Sequence, residues 1–539
     1  MKSKRLLKKI IFIVALAAAA FLYYYIQLPA INIHSQGFWG FLILLAAVLV
    51  AVLRVLPLFR RAREYGETSD LKNDKPFRIG ILAVGALVVI FIVGSILSST
   101  VVNAKKYQKL LTVEDGDFTA DIQEMDIHSV PMLDKDSATI LGNRKMGSLA
   151  DMVSQFEVAE DYTQINLNDV PVRVSPLKYA GFIKWFTNQS EGIPGYMQID
   201  MTTQNTELVR LDQPIKYSKG EYFNRNIYRH LRFKYPTYIF DNINFEIDDE
   251  GTPWWICPVK KYTIGLFGGQ TIGRVVLCNA QTGECQDLAV EEVPQWVDKV
   301  YSAELLTRFY DYYGTLQHGW LNSVLGQKDC LRTTDGYNYL AINDDVWVYT
   351  GVTSVTSDQS IVGFVLMNQR TGETKYYSVT GAVESSAMRS AEGQVQDLGY
   401  TATFPLLLNI NEQPTYFLAL KDGSGLVKKY ALVNVQKYQI VAIGDTLEQC
   451  RENYQQMMAD NDMAGAETET IEISGTIAKI TPIVQEGDTH YYLELEGDRR
   501  LFDVNVAENL KIIQKDVGDK ITFACTENEE VCTVTEIHS

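Results

Sequence analysis

The chain carries seven cysteines, all from Cys257 onward, and four of them form two similarly spaced pairs. Cys278 and Cys285 flank Asn279–Glu284, and Cys525 and Cys532 flank Thr526–Val531. Each pair brackets a turn-like stretch between β-prone runs, where cross-strand cysteines can reach bonding distance. An oxidising compartment would join them as disulfides, and a reducing one would leave partly buried thiols. Cys257, Cys330 and Cys450 remain as an odd set. No spacing is C-x-x-C, so the sequence indicates no metal centre, redox motif or cofactor.

Other chemistry-bearing residues are scattered. The six histidines, His34, His128, His230, His318, His490 and His538, make no H-E-x-x-H or other ligand spacing. There is no G-x-S-x-G elbow and no P-loop, and Gly423-Ser424-Gly425 sits between two β-prone runs as a turn would. Asp241, Glu246, Asp248, Asp249 and Glu250 could offer oxygens to calcium but lack the D-x-D-x-D-G spacing, and hairpin turns are acidic anyway. A carboxylate pair for glycoside cleavage is left open, because distances are not legible in sequence. Trp254, Trp255, Trp347 and Tyr416 are the candidate binding surface, with Phe309, Tyr310, Tyr312 and Tyr313 as a second aromatic group. Aromatics at such positions line a sugar or peptide groove, or else pack a core and sheet face.

These residues sit on repeats. Ile247-Asp-Asp-Glu-Gly-Thr-Pro-Trp-Trp255, Ile342-Asn-Asp-Asp-Val-Trp347 and Ile410-Asn-Glu-Gln-Pro-Thr-Tyr-Phe417 each join an apolar run to an aromatic one through acidic or amide residues, a hairpin signature. Ile165-Asn-Leu-Asn-Asp-Val-Pro-Val172 is a weaker relative. A second hairpin follows: Val276-Leu-Cys-Asn-Ala-Gln-Thr-Gly-Glu284 matches Val365-Leu-Met-Asn-Gln-Arg-Thr-Gly-Glu373, and Ala431-Leu-Val-Asn434 opens a third version. Asn and Gly here supply the backbone angles of a tight turn, which is a structural role. Helices are expected over Gly147–Tyr162, Glu221–Phe233, Ser302–Leu325 and Cys450–Met458, the last behind the capping box Thr446-Leu-Glu-Gln449.

The run Val275-Val-Leu-Cys-Asn-Ala-Gln-Thr-Gly-Glu284 is similar to the hairpin of PepSY-type domains. That resemblance implies extracytoplasmic helix-plus-hairpin modules that regulate or inhibit partner proteins and do not catalyse.

After a linker over 458–469, β-prone runs Thr470–Val484, Tyr491–Leu495 and Leu501–Val506, a helix Glu508–Lys515, and strands Lys520–Cys525 and Val531–Ile537 resemble an OB-fold barrel. From Glu467 onward sixteen acidic residues face six basic ones, a net of −10, so a phosphate backbone is an unsuitable ligand and a structural or protein-binding barrel is expected. The whole chain, 539 residues at −17, likewise lacks a nucleic-acid footprint.

At the other end, Ile10–Leu28, Phe38–Leu53 and Ile79–Leu97 are each near the roughly 20 apolar residues that a bilayer-crossing helix needs. Lys2, Lys4, Arg5, Lys8 and Lys9 precede the first, and Arg60, Arg61, Arg63, Lys72, Lys75 and Arg78 separate the second from the third. Pro29–Gly37 has no Lys or Arg, so the positive-inside rule places the N-terminus in the cytoplasm and everything after the third span outside. The first span also has the make-up of a signal peptide, although Phe21–Tyr25 suits a retained anchor better.

The expected fold is therefore a membrane-anchored α+β protein. A three-helix anchor occupies 1–103 (spans about 10–28, 38–57 and 79–98), an α+β region 104–240, PepSY-like repeats 241–457, and an OB-like barrel 470–539. The expected function is that of a non-catalytic bacterial envelope protein, integral to the cytoplasmic membrane, whose outer repeats bind or regulate another envelope protein or the wall. The alternatives are a wall-directed hydrolase with carboxylates in a cleft, and a transmembrane sensor.

Overall fold

A computed structural model describes residues 2–55, 74–122, 124, 130–355, 360–461, 470–485, 488–506, 509–526 and 531–538. The chain divides into two compact units, Met1–Met457 and Met458–Ser539.

Three helices, α1 (Lys2–Gln27), α2 (Gln36–Val50) and α3 (Lys75–Leu97), cover the apolar runs. Ser35 opens α2 by accepting the Phe38 amide at 3.3 Å, which satisfies one of the unpaired donors of a helix start. Gln36–Leu53 and Lys75–Leu97 are long and apolar enough to cross a membrane, while the apolar part of α1, Ile11–Gln27, is shorter. The side chains of the basic N-terminus, and the loop with Arg60, Arg61, Arg63 and Lys72, lie outside the described residues, as does His128. A short helix, α4 (Thr100–Gln108), follows α3.

Most of the rest of the larger unit is one motif built four times: a helix, a short edge segment and two hairpins in a meander. The first copy has α5 (Lys135–Gly147), β1 (Thr163–Leu167), β2 (Val170–Tyr179), β3 (Ile193–Asp200) and β4 (Thr206–Ile215). The second has α6 (Ile227–Lys234), β5 (Asn244–Ile247), β6 (Pro253–Ile264), β7 (Gly268–Asn279) and β8 (Cys285–Ala289). The third has α7 (Ala303–Thr315), β9 (Asn338–Ile342), β10 (Asp345–Ser354), β11 (Gly363–Asn368) and β12 (Thr374–Tyr377). The fourth has α8 (Glu384–Gln394), β13 (Leu406–Ile410), β14 (Gln413–Lys421), β15 (Val427–Asn434) and β16 (Val441–Gly444), with α9 (Leu447–Asp460) after it. In every copy the edge segment and the first strand pair end to end along the long second strand.

Turn chemistry explains the repetition. Asn168 and Asp169, Asn343 and Asp344, and Asn411 and Glu412 all have positive φ, the two-residue turn whose twist matches a hairpin. The segment after Ile165 is thus a full copy, but its turn falls two residues later than the alignment on Ile165-Asn166 implies. The second copy has instead a wider loop, in which Asp248 accepts the Thr252 amide at 2.7 Å. The second hairpins share another device. The side-chain oxygens of Asp200, Asn279, Asn368 and Asn434 each accept the amides two and three residues on, at 2.8–3.0 Å. Gly283 and Gly372, at φ of 76° and 79°, complete the two Thr-Gly-Glu turns.

Two helix assignments change. The first copy's helix is Lys135–Gly147 and not Gly147–Tyr162, which instead leads into a short strand, Phe156–Val158. The fourth copy's α8 was not foreseen, because ESSAMRSAEGQ shows only small residues, Ala387 and Ala391, at helical spacing to the core.

Sheets in the middle of the array are buried on both faces. Along β6, Trp255, Cys257 and Val259 pack with the first copy's core, while Ile256 packs with Val275 and Leu277 against the third copy.

The smaller unit has strands β17 (Thr470–Gln485), β18 (Asp488–Leu495), β19 (Leu501–Asn505), β20 (Lys520–Thr526) and β21 (Val531–Ile537). They close in the order β17-β18-β19-β21-β20, with β19 and β21 parallel, around Ile477, Leu493, Phe502, Phe523 and Val534. The expected helix is a 3-10 turn, Leu510–Gln514.

Candidate functional site

The aromatic surface expected from sequence is not a surface. Trp255 and Tyr416 are 1% and 0% exposed and Trp347 is 8% exposed. Trp254 is half-buried, its ring 5.9 Å from Trp296 and its Nε1 donating to Asp248 at 2.9 Å. The reason is the two-sided burial of the inner sheets, which puts both alternating faces of a strand inside. Phe309 and Tyr310 are likewise core residues of α7.

The acidic group also disperses. Asp241 pairs with Lys260 at 3.0 Å, and Asp248 holds its turn. Glu246 is fully buried and accepts the Asp298 amide at 2.9 Å, and Asp298 in turn accepts the Asn166 amide at 2.7 Å. Burial pushes Glu246 up to about 7, and burial plus the Glu246 charge pushes Asp298 well above the usual carboxylate range. This carboxylate pair is sealed among neighbouring copies within the larger unit, so it serves as a polar joint and not as a cleft for hydrolysis.

The cysteines do come together at one place, as thiols. Cys278 and Cys285 are directly opposite on β7 and β8. Asn279 donates to the Glu284 carbonyl, which makes the cysteines the adjacent non-hydrogen-bonded pair, where side chains approach most closely. His230 of α6 completes the group: one ligand atom from each of the three lies within 4.8 Å of the others. Its Nε2 donates to the Gly283 carbonyl at 2.8 Å and lies 3.8 Å from the Cys285 sulfur. The hydrogen bond from Cys278, then that from His230, pulls Cys285 down to about 5. Among the described residues this is the grouping that could hold a soft metal ion. Sequence reasoning missed His230, because only the docking of α6 on the β7–β8 hairpin brings it near. The other pair is not matched in this way. Cys525 is in register with Val534, and Cys532 with Phe502, both inside the barrel core.

A second feature is the joint between the second copy and the apolar helices. Arg232 of α6 donates from Nε to the Leu28 carbonyl (2.9 Å) and from Nη1 to the carbonyls of Tyr235, Pro236 and Tyr238 (3.3, 3.3 and 2.7 Å). Arg229 lies 4.2 Å over the ring of Tyr25 in α1. His34, after α1, donates from Nδ1 to the Leu266 carbonyl at 2.7 Å. The β6–β7 turn is inserted at the helix ends: the Leu266 and Phe267 amides donate to Ser98 Oγ (2.9 and 3.1 Å), and the Phe267 ring sits 5.2 Å from Phe91 and 6.4 Å from Trp39. A Cβ on Gly94 would stand 2.5 Å from Leu266 Cδ1, so the Leu266 side chain packs directly on the glycine of α3.

Beside the joint lies an exposed aromatic patch. Phe182, Ile183 and Phe186 on the helix Phe182–Asn188 are 50%, 75% and 64% exposed, and Phe223 is 56% exposed. The patch is continuous with the joint, because Arg229 donates to the Phe223 carbonyl at 2.7 Å while it covers Tyr25. Comparison with protein-family models and with curated proteins finds no significant match to the chain.

Proposed function

We propose that this is a multi-pass protein of a bacterial cytoplasmic membrane, whose four-copy repeat domain stands outside the cytoplasm and binds or regulates another envelope protein or the wall without catalysis. The observation that carries the reading is the joint. Arg232, Ser98 and the Leu266-Phe267 turn clamp the second copy to the helix ends, so the array is presented at a fixed angle and height above the bilayer. The basic loop between the second and third apolar runs supports the orientation. The patch of Phe182, Ile183, Phe186 and Phe223 beside α1 suits the lipid interface, where aromatic side chains concentrate. The resemblance to PepSY-type modules gains support from the repeated helix-plus-hairpins plan, and that to OB barrels from the order of β17–β21.

The test is crosslinking in intact cells, purification through a C-terminal tag, and mass spectrometry. One stoichiometric membrane or wall protein is the expected recovery, and a clean monomer would count against the reading. A benzophenone amino acid at Phe186 should yield lipid adducts; its failure to do so would remove the patch from the bilayer.

A further inference from the structure

We propose that a cavity of about 380 Å³ between the first, third and fourth copies binds a compact polar ligand carrying an oxyanion, a phosphate or a carboxylate. Its wall holds Lys135, Arg173 and Lys299 in a chain whose net charge is −17. Arg173 is 6% exposed and sits opposite Gln164 in the β1–β2 ladder. Its Nε donates to the Leu133 carbonyl and its Nη2 to Gln164 Oε1, both at 3.2 Å. Among the described residues Nη1 has no partner and no carboxylate lies within ion-pair distance of the guanidinium.

A buried guanidinium left without a carboxylate is costly. The two carboxylates on the wall are committed elsewhere. Asp134 is held by Lys421 at 2.5 Å and by the Ser137 amide at 2.9 Å, and Glu304 accepts from Tyr337 at 2.8 Å. Lys299 reaches the cavity from the segment before α7; its ammonium lies 6.0 Å from the centroid of the Tyr339 ring and, among the described residues, has no carboxylate within ion-pair distance. Burial pulls its pKa down, the carboxylates of Glu246 and Glu304 partly oppose that shift, and the like charges of Arg173 and Lys135 add to it. Two inward cations that repel one another, in a cavity of ligand size, are the arrangement an oxyanion relieves. Lys135, exposed on the rim, adds a third positive charge toward the entrance.

The experiment is thermal unfolding of the full chain in detergent, titrated with inorganic phosphate, succinate or chloride at equal ionic strength. At least one oxyanion should raise Tm above the chloride control with saturation. Lys299→Gln should weaken the half-saturating concentration about tenfold or more, the loss of one charge-assisted contact. Lys428→Gln, on β15, should leave it unchanged. A response to phosphate alone assigns a phosphate ligand, and one to succinate alone a carboxylate. If neither exceeds chloride, or if Lys299→Gln responds as the parent does, the proposal is overturned. Should Lys299→Gln fail to fold, Lys135→Gln on the exposed rim carries the same test with an expected weakening of a few fold, and an unchanged response there also overturns it.

Discussion

The second and third copies contain nearly the same turn, Asn279–Glu284 and Asn368–Glu373, and use it for different ends. In both, the Asn side chain accepts two amides and a glycine at positive φ closes the loop. The residues flanking the turn differ. The second copy places Cys278 opposite Cys285, with His230 beside them, while the third places Met367 opposite Thr374, both buried. Two strands across the sheet, the second copy buries Glu246 where the third has the half-buried Ala341, each one residue before the isoleucine that ends its strand. The repeated letters are therefore architecture, and chemistry is confined to positions where the copies disagree.

The largest expected effect separates the copies by their attachment. Arg232→Met would strand the Leu28 and Tyr238 carbonyls, the Tyr235 and Pro236 carbonyls keeping the Tyr238 and Ile31 amides, and cost about 3–4 kcal/mol, read by denaturant unfolding in detergent and by new protease cleavage near Leu28–Asn32. Leu306→Ala on α7 of the third copy should cost a comparable 2–5 kcal/mol by cavity formation, without that cleavage. If both variants cut alike, the joint is not specific to the second copy.

Next in size, Asn368→Ala and Asn279→Ala should each lose about 2 kcal/mol, because two turn amides lose their acceptor. Asn368 should lose somewhat more, as its Nδ2 also donates to Asp345 at 2.9 Å inside the Asp345–Arg370 pair. Equal and small losses, read from the unfolding midpoint, would refute the shared turn as a structural element.

How much of this was legible follows from the range of each signal. Turn residues act over four positions, so the Thr-Gly-Glu turns, the two-residue turns of the third and fourth copies and the barrel strands could be read locally. The burial of Trp255 and Tyr416 could not, because it depends on a neighbouring copy covering the face that alternation alone would leave open. Helix α8 was hidden by its small residues. His230 joins Cys278 and Cys285, and Arg173 joins Lys299, only through packing between separate elements, and single charges in a sequence give no sign of which others they will face.

A smaller effect concerns Glu246. Its folded pKa lies above its unfolded value, so the folded state binds the extra proton and stability must fall as pH rises from about 4.5 to about 7. Glu246→Gln should remove that part of the slope and leave the protein roughly 1–3 kcal/mol more stable at neutral pH. Asp298, also raised, keeps a residual slope of the same sign. A flat pH profile for the parent chain would dismiss the buried pair as the source.

The smallest effect is kinetic and tests the flanking positions directly. Cys285, pulled down to about 5, should remain a thiolate well below the usual thiol range, so it should alkylate at pH 6–7 while the more deeply buried Cys278, raised by its bond to Cys285, does not. His230→Phe removes one of the groups that favour the thiolate and should slow labelling at pH 6 several-fold, with little change at pH 9, where an ordinary thiol is ionised too. The double change Met367→Cys and Thr374→Cys rebuilds the same cross-strand pair beside the same turn in the third copy but without an imidazole. If that pair reacted as fast at pH 6, hairpin register alone would set the thiol chemistry. If it reacted only above pH 8, the docking of α6 would be what distinguishes the two copies.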